Sequence, residues 1–269
     1  MLSVERRIAW ATCGLLIVWA ALAWVLTVRS ATAMTDMVMG LGQIGTRIPM
    51  AIGASVFIGM WLTMMVAMMF PTMGPMVIAH RMVTRKRGEN WTSTLTFVGG
   101  YLVVWTAAGV LPFAAVVAFA KLPSGPAGPW IAPLAGAVLM LAGFYQFTPL
   151  KTICLRACRT PIGFILSHDF RTGVPGAFRA GFVHGAFCLG CCWALMTILL
   201  VVGVMNLVWM IALTAVFFLE KNWRGGVVVS RIVGIGLVII GVAVALRPDI
   251  LPALSGAAGS MPAAGPMKM

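Results

Sequence analysis

The sequence predicts an all-α, polytopic transmembrane helical bundle of about seven spans, with six spans as the alternative. Composition is the first reason: 61% of the 269 residues are apolar and only 9% are charged, a balance typical of integral membrane proteins. The second reason is a series of apolar runs long enough to cross a hydrocarbon core of about 30 Å. The third is the uneven distribution of basic residues between those runs.

Seven apolar segments account for the predicted helices in chain order. They are Ile8–Val28, Ile48–Phe70, Thr96–Ala120, Ile131–Leu150, Ala180–Val202, Gly203–Glu220 and Ile232–Leu246. The six-span alternative merges or drops one segment near Gly203–Asn206. The first segment is followed by Ala31-Thr32-Ala33 and so also resembles a cleavable signal peptide, but its length exceeds the usual signal core of about seven to fifteen residues. We therefore expect a retained anchor, one transmembrane domain over residues 1–247 and a flexible tail over residues 248–269.

The basic residues predict the orientation of this bundle. An N-terminus inside places fourteen of the nineteen Lys and Arg residues on the cytoplasmic side, which satisfies the positive-inside rule with the C-terminus outside. Topology and anionic lipid heads then explain the net charge of +13, so the expected partner is the lipid bilayer and not nucleic acid. We predict a multi-pass protein of the bacterial inner membrane. With six acidic residues and no Ser/His/Asp set, the sequence favours a protein that is not an enzyme.

The strongest candidate site lies in the fifth apolar segment. His184, Cys188, Cys191 and Cys192 fall within a sector of roughly 100° on an α-helix, and Met196 follows one turn later. Soft sulfur ligands and an imidazole suit a thiophilic metal such as Cu(I), while zinc, which prefers four tetrahedral ligands, is the alternative. Adjacent Cys191 and Cys192 diverge by about 100°, so one ion is expected to bind only one of them.

The second candidate feature is a run of methionines in the second apolar segment. Its members are Met60, Met64, Met65, Met68, Met69, Met73 and Met76. Thioethers bind Cu(I) without losing a proton, so this row is a candidate path for a soft ion, although methionine also packs well in any apolar core. Pro71 and Pro75 each remove a backbone N–H and predict a kink or break in the same helix. Candidate external collectors of the ion are Met34, Met37 and Met39.

Two further candidates lie in the predicted cytoplasmic segments. Cys154 and Cys158 share a helical face by their i, i+4 spacing and lie beside basic residues that favour the thiolate. They either capture and release metal or are reduced cysteines that cover apolar surface. Glu220 ends the sixth segment and is expected to be an interfacial carboxylate paired with Lys221 or Arg224. If it faces the bundle instead, it is a candidate ion or proton ligand.

Six segments form a specific combination: MWLTMMVAMMFP from Met60, GFYQFTPLK from Gly143, CLRACRTP from Cys154, GCCWALM from Gly190, GVMN from Gly203 and Glu220-Lys221. Over about residues 50–245 this combination resembles a bacterial family of predicted metal-binding integral membrane proteins, catalogued mainly as a domain of unknown function. The resemblance implies metal binding, without a reaction or substrate. The matching positions are Met64, Met65, Met68, Met69, Tyr145, Gln146, Lys151, Cys154, Cys158, Cys191, Cys192, Met196, Met205, Asn206 and Glu220. His184 and Cys188 follow from the spacing argument instead.

The sequence therefore favours an integral membrane protein that binds a soft metal ion, foremost Cu(I), for transport, delivery or storage. Its expected protein partners are other membrane subunits or a metallochaperone. Three alternatives stay open. The first alternative is a non-catalytic subunit or assembly factor of a larger membrane copper enzyme. The second is a membrane thiol–disulfide redox protein, and the third is a metal-free transporter of a small solute. The redox alternative requires Cys191 or Cys192 near a membrane surface and a resolving partner.

Overall fold

The computed structural model describes residues 2–34, 36–44, 52–121, 129–167 and 172–256, which form α-helices and one 3₁₀ turn, Leu41–Gln43, without any β-strand. The helices are α1 (Leu2–Ala33), α2 (Ala54–Lys86), α3 (Trp91–Ala108), α4 (Val110–Ala120), α5 (Ile131–Tyr145), α6 (Pro149–Arg159), α7 (Pro161–Ser167), α8 (Gly173–Val202), α9 (Leu207–Asn222), α10 (Gly226–Leu246) and α11 (Ile250–Ser255). The predicted all-α class is confirmed.

Five helical segments within the described residues are long and apolar enough to cross a membrane. They are Ala9–Ala33, Ala54–Lys86, Trp91–Ala120, Gly173–Val202 and Gly226–Leu246. Helices α5 and α6 are bent by 62° relative to each other and make a sixth segment if the pair is one broken span. The predicted span Gly203–Glu220 is not among these segments, because α9 has only 16 residues. At about 24 Å it is shorter than a hydrocarbon core of about 30 Å.

The structure also differs from the sequence-based expectations at the two prolines of α2 and in the predicted flexible tail. Helix α2 is a single helix through Pro71 and Pro75, so neither proline ends it. Most of a helix's stability in a protein comes from tertiary packing, and this packing outweighs the backbone bonds that the prolines remove. The predicted flexible tail contains α11, in which Leu251 is buried. Residues 257–269 of that tail, and residues 48–51 of the predicted second span, lie outside the described residues.

Helix α8 packs closely against α3 because glycines face the partner backbone. A Cβ atom on Gly181 would collide with the carbonyl of Phe97, and a Cβ atom on Gly100 would lie 2.9 Å from the backbone nitrogen of Phe182. Small residues at such crossings are typical of helices that pack without a hydrophobic driving force. Side chains larger than hydrogen at these two positions would force the helices apart, so α3 fixes the position of α8.

Helices α2 and α8 run antiparallel. His80 near the end of α2 lines a small cavity with Gly176 near the start of α8. At the opposite end, Trp61 in the first part of α2 lines a cavity of about 410 Å³ with Leu200 near the end of α8. The methionine row of α2 therefore extends beside the second half of α8.

Candidate metal centre

Three cysteine sulfur atoms converge in the middle of the bundle. The Sγ atoms of Cys158, Cys188 and Cys191 all lie within 4.8 Å of one another. Cys158 comes from α6, whereas Cys188 and Cys191 occupy successive turns of α8. The two α8 cysteines are each only 1% exposed, and Cys158 is half-buried. Three thiol groups at this separation form a soft donor set of the kind that Cu(I) and Zn(II) prefer.

The bend between α5 and α6 brings Cys158 to this position. Thr148 caps α6 by accepting a hydrogen bond from the backbone N–H of Lys151 at 3.3 Å, and Pro149 follows at the first helical position. Tyr145 donates a hydrogen bond to the carbonyl of Gly190 in α8 at 2.6 Å. Gly190 also leaves room for Cys154, since a Cβ atom there would lie 2.7 Å from the Cys154 Sγ. These contacts hold α6 against the cysteine-bearing part of α8.

Lys221 places a buried ammonium group directly beside the sulfur cluster. Its Nζ atom lies 3.2 Å from the Cys188 Sγ, 3.2 Å from the Thr72 Oγ1 and 3.7 Å from the Met69 Sδ. The side chain is 6% exposed, and no carboxylate of the described residues lies within salt-bridge distance of it. The Tyr101 hydroxyl contacts the same Cys188 Sγ at 3.2 Å. A buried cation requires a negative partner, and the Cys188 sulfur that it contacts can provide one as a thiolate.

Glu220 forms a second buried charge contact, behind the cluster. Its Oε2 atom lies 2.7 Å from the Lys151 Nζ, with the two side chains 0% and 1% exposed. Lys151 also donates to the carbonyl of Cys191 at 2.6 Å. The expected interfacial pairing of Glu220 with Lys221 or Arg224 is therefore wrong, because the last turn of α9 packs inside the bundle against α6. Since Glu220 and Lys151 balance each other, the Lys221 charge is left for the sulfur cluster.

His184 lies one turn from Cys188 but outside the group of three sulfur atoms. Its ring is buried and stacks on Phe97 and Tyr101 at centroid distances of 5.9 and 5.8 Å, with Phe164 edge-on at 5.6 Å. Its Nδ1 atom has no hydrogen-bond partner in the described part of the chain. The structure thus places this predicted ligand in an aromatic layer next to the cluster.

The remaining predicted cysteines lie beside the cluster without joining the group of three. Cys192 is buried, with its Sγ 3.3 Å from the Cys191 Sγ. Cys154 faces Gly190 while Cys158, one turn later, lies 3.9 Å from the Cys191 Sγ, so both α6 cysteines face α8 as their spacing predicts. Of the adjacent cysteines, Cys191 is the one in the group of three sulfur atoms.

The predicted methionine ligands divide between two places. Met64, Met65, Met68 and Met69 are almost completely buried along α2, and Met69 reaches Lys221 at the edge of the cluster. Met196 instead lines the 410 Å³ cavity. The α2 methionines therefore extend from the level of the end of α8 to the thiols, whereas Met196 faces the cavity.

Sequence reasoning missed Lys221 and Tyr101. Lys221 was counted among the cytoplasmic basic residues, and Tyr101 lies in an apolar segment without any motif. The one available signal was the pair Glu220-Lys221 at the end of an apolar run, where adjacent helical side chains diverge by about 100° and so meet different partners.

Residues 58–244 match the family described as PpoB2, a copper chaperone. No curated protein and no solved structure matches the chain significantly. The matched region contains the sulfur cluster, Lys221 and the Lys151–Glu220 pair, and it agrees with the metal-binding family that the motifs resemble. The chain belongs to the PpoB2 copper chaperone family.

Proposed function

We propose that this protein is an integral membrane copper chaperone that holds one Cu(I) ion at Cys158, Cys188 and Cys191 and passes it to a recipient. The observation that carries the proposal is the convergence of three thiol groups within 4.8 Å beside the ammonium of Lys221. Membership of a copper chaperone family supports copper as the metal. The five long apolar helices support a place in the bilayer.

The charge of the site favours a monovalent ion on few ligands. Cu(I) bound by the thiolates of Cys188 and Cys191 carries a net charge of −1, which the ammonium of Lys221 cancels, while Cys158 adds a third, weaker contact as a thiol that keeps its proton. Zinc prefers four ligands in a tetrahedron, whereas among the His, Cys, Asp and Glu side chains of the described residues only three place their ligand atoms within 4.8 Å of one another here. A two- or three-coordinate sulfur site therefore suits Cu(I) better than Zn(II).

The unequal burial of the ligands supports delivery over storage. Cys188 and Cys191 are enclosed, whereas Cys158 is half-buried on α6. A recipient thiolate or thioether reaches the ion from the Cys158 side and replaces that ligand first. The recipient in this proposal is a metallochaperone or a copper-dependent membrane enzyme, for which the chain would act as an assembly factor.

The proposed location is the bacterial inner membrane, with the N-terminus inside. The basic end of α2, which carries Arg85 and Lys86, supports this orientation because positive charge is retained on the cytoplasmic side. The redox alternative has less support. It needs Cys191 or Cys192 near a surface, and both side chains are buried.

Copper analysis of the purified full-length chain tests the proposal. The protein is reconstituted with Cu(I) under anaerobic, reducing conditions, and bound copper is measured together with Zn(II) binding. We expect close to one Cu(I) per chain, lost in Cys188→Ser and Cys191→Ser and bound more weakly in Cys158→Ser. Cys13→Ser is the matched control, since Cys13 is half-buried in α1 away from the cluster. A wild-type chain that binds no Cu(I), or a control that loses as much copper as the cluster variants, would overturn the proposal.

A further inference from the structure

A second sulfur-lined space lies at the far end of α8 from the basic surface. This cavity has a volume of about 250 Å³, and its lining includes the side chains of Met34, Met37, Met39 and Met205. Methionine normally fills irregular gaps in a core, which is close-packed. Here four methionines instead border a space that is partly open to the surroundings.

Three segments that are distant in sequence form a fixed wall around this cavity. The backbone N–H of Val204, just after α8, donates to the carbonyl of Met39 at 3.1 Å. The Gln43 side chain accepts a hydrogen bond from the Met39 N–H at 2.8 Å. The Ser255 hydroxyl of α11 donates to the carbonyl of Gly42 at 3.0 Å. Because these bonds join the chain after α1 to α8 and α11, Met39 and Met205 are held in place together.

The chemistry of the lining selects the class of ligand. Thioethers are neutral, soft donors that bind a metal ion without releasing a proton, so they suit Cu(I) and Ag(I). No carboxylate belongs to the lining among the described residues, which leaves no hard oxygen anion for Mg²⁺ or Ca²⁺. The polar residues Thr32, Gln43, Asn206 and Ser255 also line the cavity, and all four are neutral.

The buried methionines of α2 lie between the level of this cavity and the level of the thiol cluster. From Cys192 to Val202 the distance along α8 is about 15 Å. Trp61 of α2 lines the same cavity as Val204, next to Met205, so Met60 and the following methionines begin at that level. Further along the row, Met69 lies beside Lys221 and the cluster. Thioethers thus occur at every turn of α2 between the two places.

We infer that the cavity lined by Met34, Met37, Met39 and Met205 is a second binding site for a soft monovalent metal ion. In this arrangement the ion exchanges with the surroundings at the methionine cavity, moves along the α2 methionines and rests at the thiols. The role of this site in copper delivery rests on the proposed function. The binding of a metal ion at the methionine cavity does not depend on the thiols.

Titration with Ag(I) and with Cu(I), each as the metal alone, tests this inference in the full chain. The background is a variant in which all six cysteines are replaced by serine, so that no thiol competes. We expect it to retain one ion per chain, bound at least tenfold more weakly after Met34→Leu, Met37→Leu and Met205→Leu. The control is Met82→Leu with Met140→Leu, which lie outside the cavity lining and should leave binding unchanged.

A second measurement covers the case in which the cysteine-free chain does not fold. In the chain with its cysteines intact, the same three leucine substitutions should lower the Ag(I) stoichiometry by one while the thiols still bind their ion. Loss of thiol binding with retained cavity binding would refute the proposed thiol centre alone. An unchanged stoichiometry in the leucine variant, or equal losses in variant and control, would overturn the methionine site.

Discussion

The Nζ atom of Lys221 and the Sγ atom of Cys188 lie 3.2 Å apart in the buried centre of the bundle. Opposite charges at this distance attract strongly where water is excluded. The metal-free site is therefore expected to contain one thiolate, at Cys188, and one ammonium. Cu(I) needs a second thiolate, from Cys191, so loading should release one proton for each ion bound and leave the net charge of the site unchanged.

Replacing Lys221 by methionine should change that proton count. Without the ammonium, Cys188 is protonated in the metal-free state, so Cu(I) binding should release two protons instead of one. Affinity for Cu(I) should fall on the order of 10- to 100-fold, the usual effect of losing a partner of a metal ligand. Potentiometric titration in weakly buffered solution gives the proton count, and competition with a Cu(I) chelator gives the affinity.

Lys221→Arg keeps the positive charge and should retain the count of one proton. If Lys221→Met binds Cu(I) with the wild-type affinity and the same proton count, the ammonium does not act on the cluster.

Gly190→Ala should weaken copper binding without touching any of the three cluster cysteines. The added Cβ atom would lie 2.7 Å from the Cys154 Sγ and would push α6 away from α8, taking Cys158 out of reach of the other two sulfur atoms. Chelator competition should show a loss of about tenfold or more, as for a displaced ligand partner. Cys154→Ala removes the collision and should restore binding in the double variant.

The matched control for this change is Gly99→Ala, where no atom lies within 4 Å of the added Cβ. Failure of Cys154→Ala to rescue binding would show that the contact between these two residues does not position α6.

The Lys151–Glu220 pair should be more important for stability than for copper. Removing one member leaves a buried, uncompensated charge, which costs about 3–5 kcal/mol, whereas replacing both by apolar residues is often neutral. We therefore expect Lys151→Met to lower the thermal denaturation temperature of the purified chain strongly, and Lys151→Met with Glu220→Leu to recover most of the loss. Lys86→Met, at an exposed lysine, serves as the control. A double variant no more stable than the single one would contradict this account of the pair.

His184→Phe should leave copper bound. The ring of His184 lies in a layer of aromatic side chains, so phenylalanine conserves its packing, and its nitrogen atoms do not belong to the sulfur group. X-ray absorption of the Cu(I)-loaded wild type should show sulfur neighbours and no imidazole. Loss of copper from His184→Phe, with copper retained in Cys158→Ser, would instead make His184 a ligand in place of Cys158.

Helical periodicity accounts for the parts of the site that lie within one segment. The i, i+3 and i, i+4 spacings place Cys188 with Cys191, and Cys154 with Cys158, on common faces, and the structure has them so. Helical periodicity did not predict that His184 lies outside the sulfur cluster, because a sector of about 100° on a helix faces more than one neighbouring helix.

Contacts between segments were beyond reach of the sequence. That Cys158 meets Cys188 depends on the 62° bend between α5 and α6, which turns an expected cytoplasmic segment back onto α8. Lys151 and Lys221 counted as surface charges because long basic side chains usually extend their charged ends to water. Their burial follows from α9, whose last turn lies against α6 and directs Glu220 to one lysine while the other faces the thiols.

The two helices that supply the sulfur ligands are held with unequal firmness. Backbone contacts at Gly181 and Gly100 fix α8 on α3, whereas α6 contacts α8 through side chains such as Lys151, which donates to the carbonyl of Cys191. In the proposed function, a partner that draws α6 outward by a few ångström would remove Cys158 and leave the ion on Cys188 and Cys191 alone. The tilt of one short helix would then set how tightly the ion is bound, and the ion could be released while the rest of the bundle stays in place.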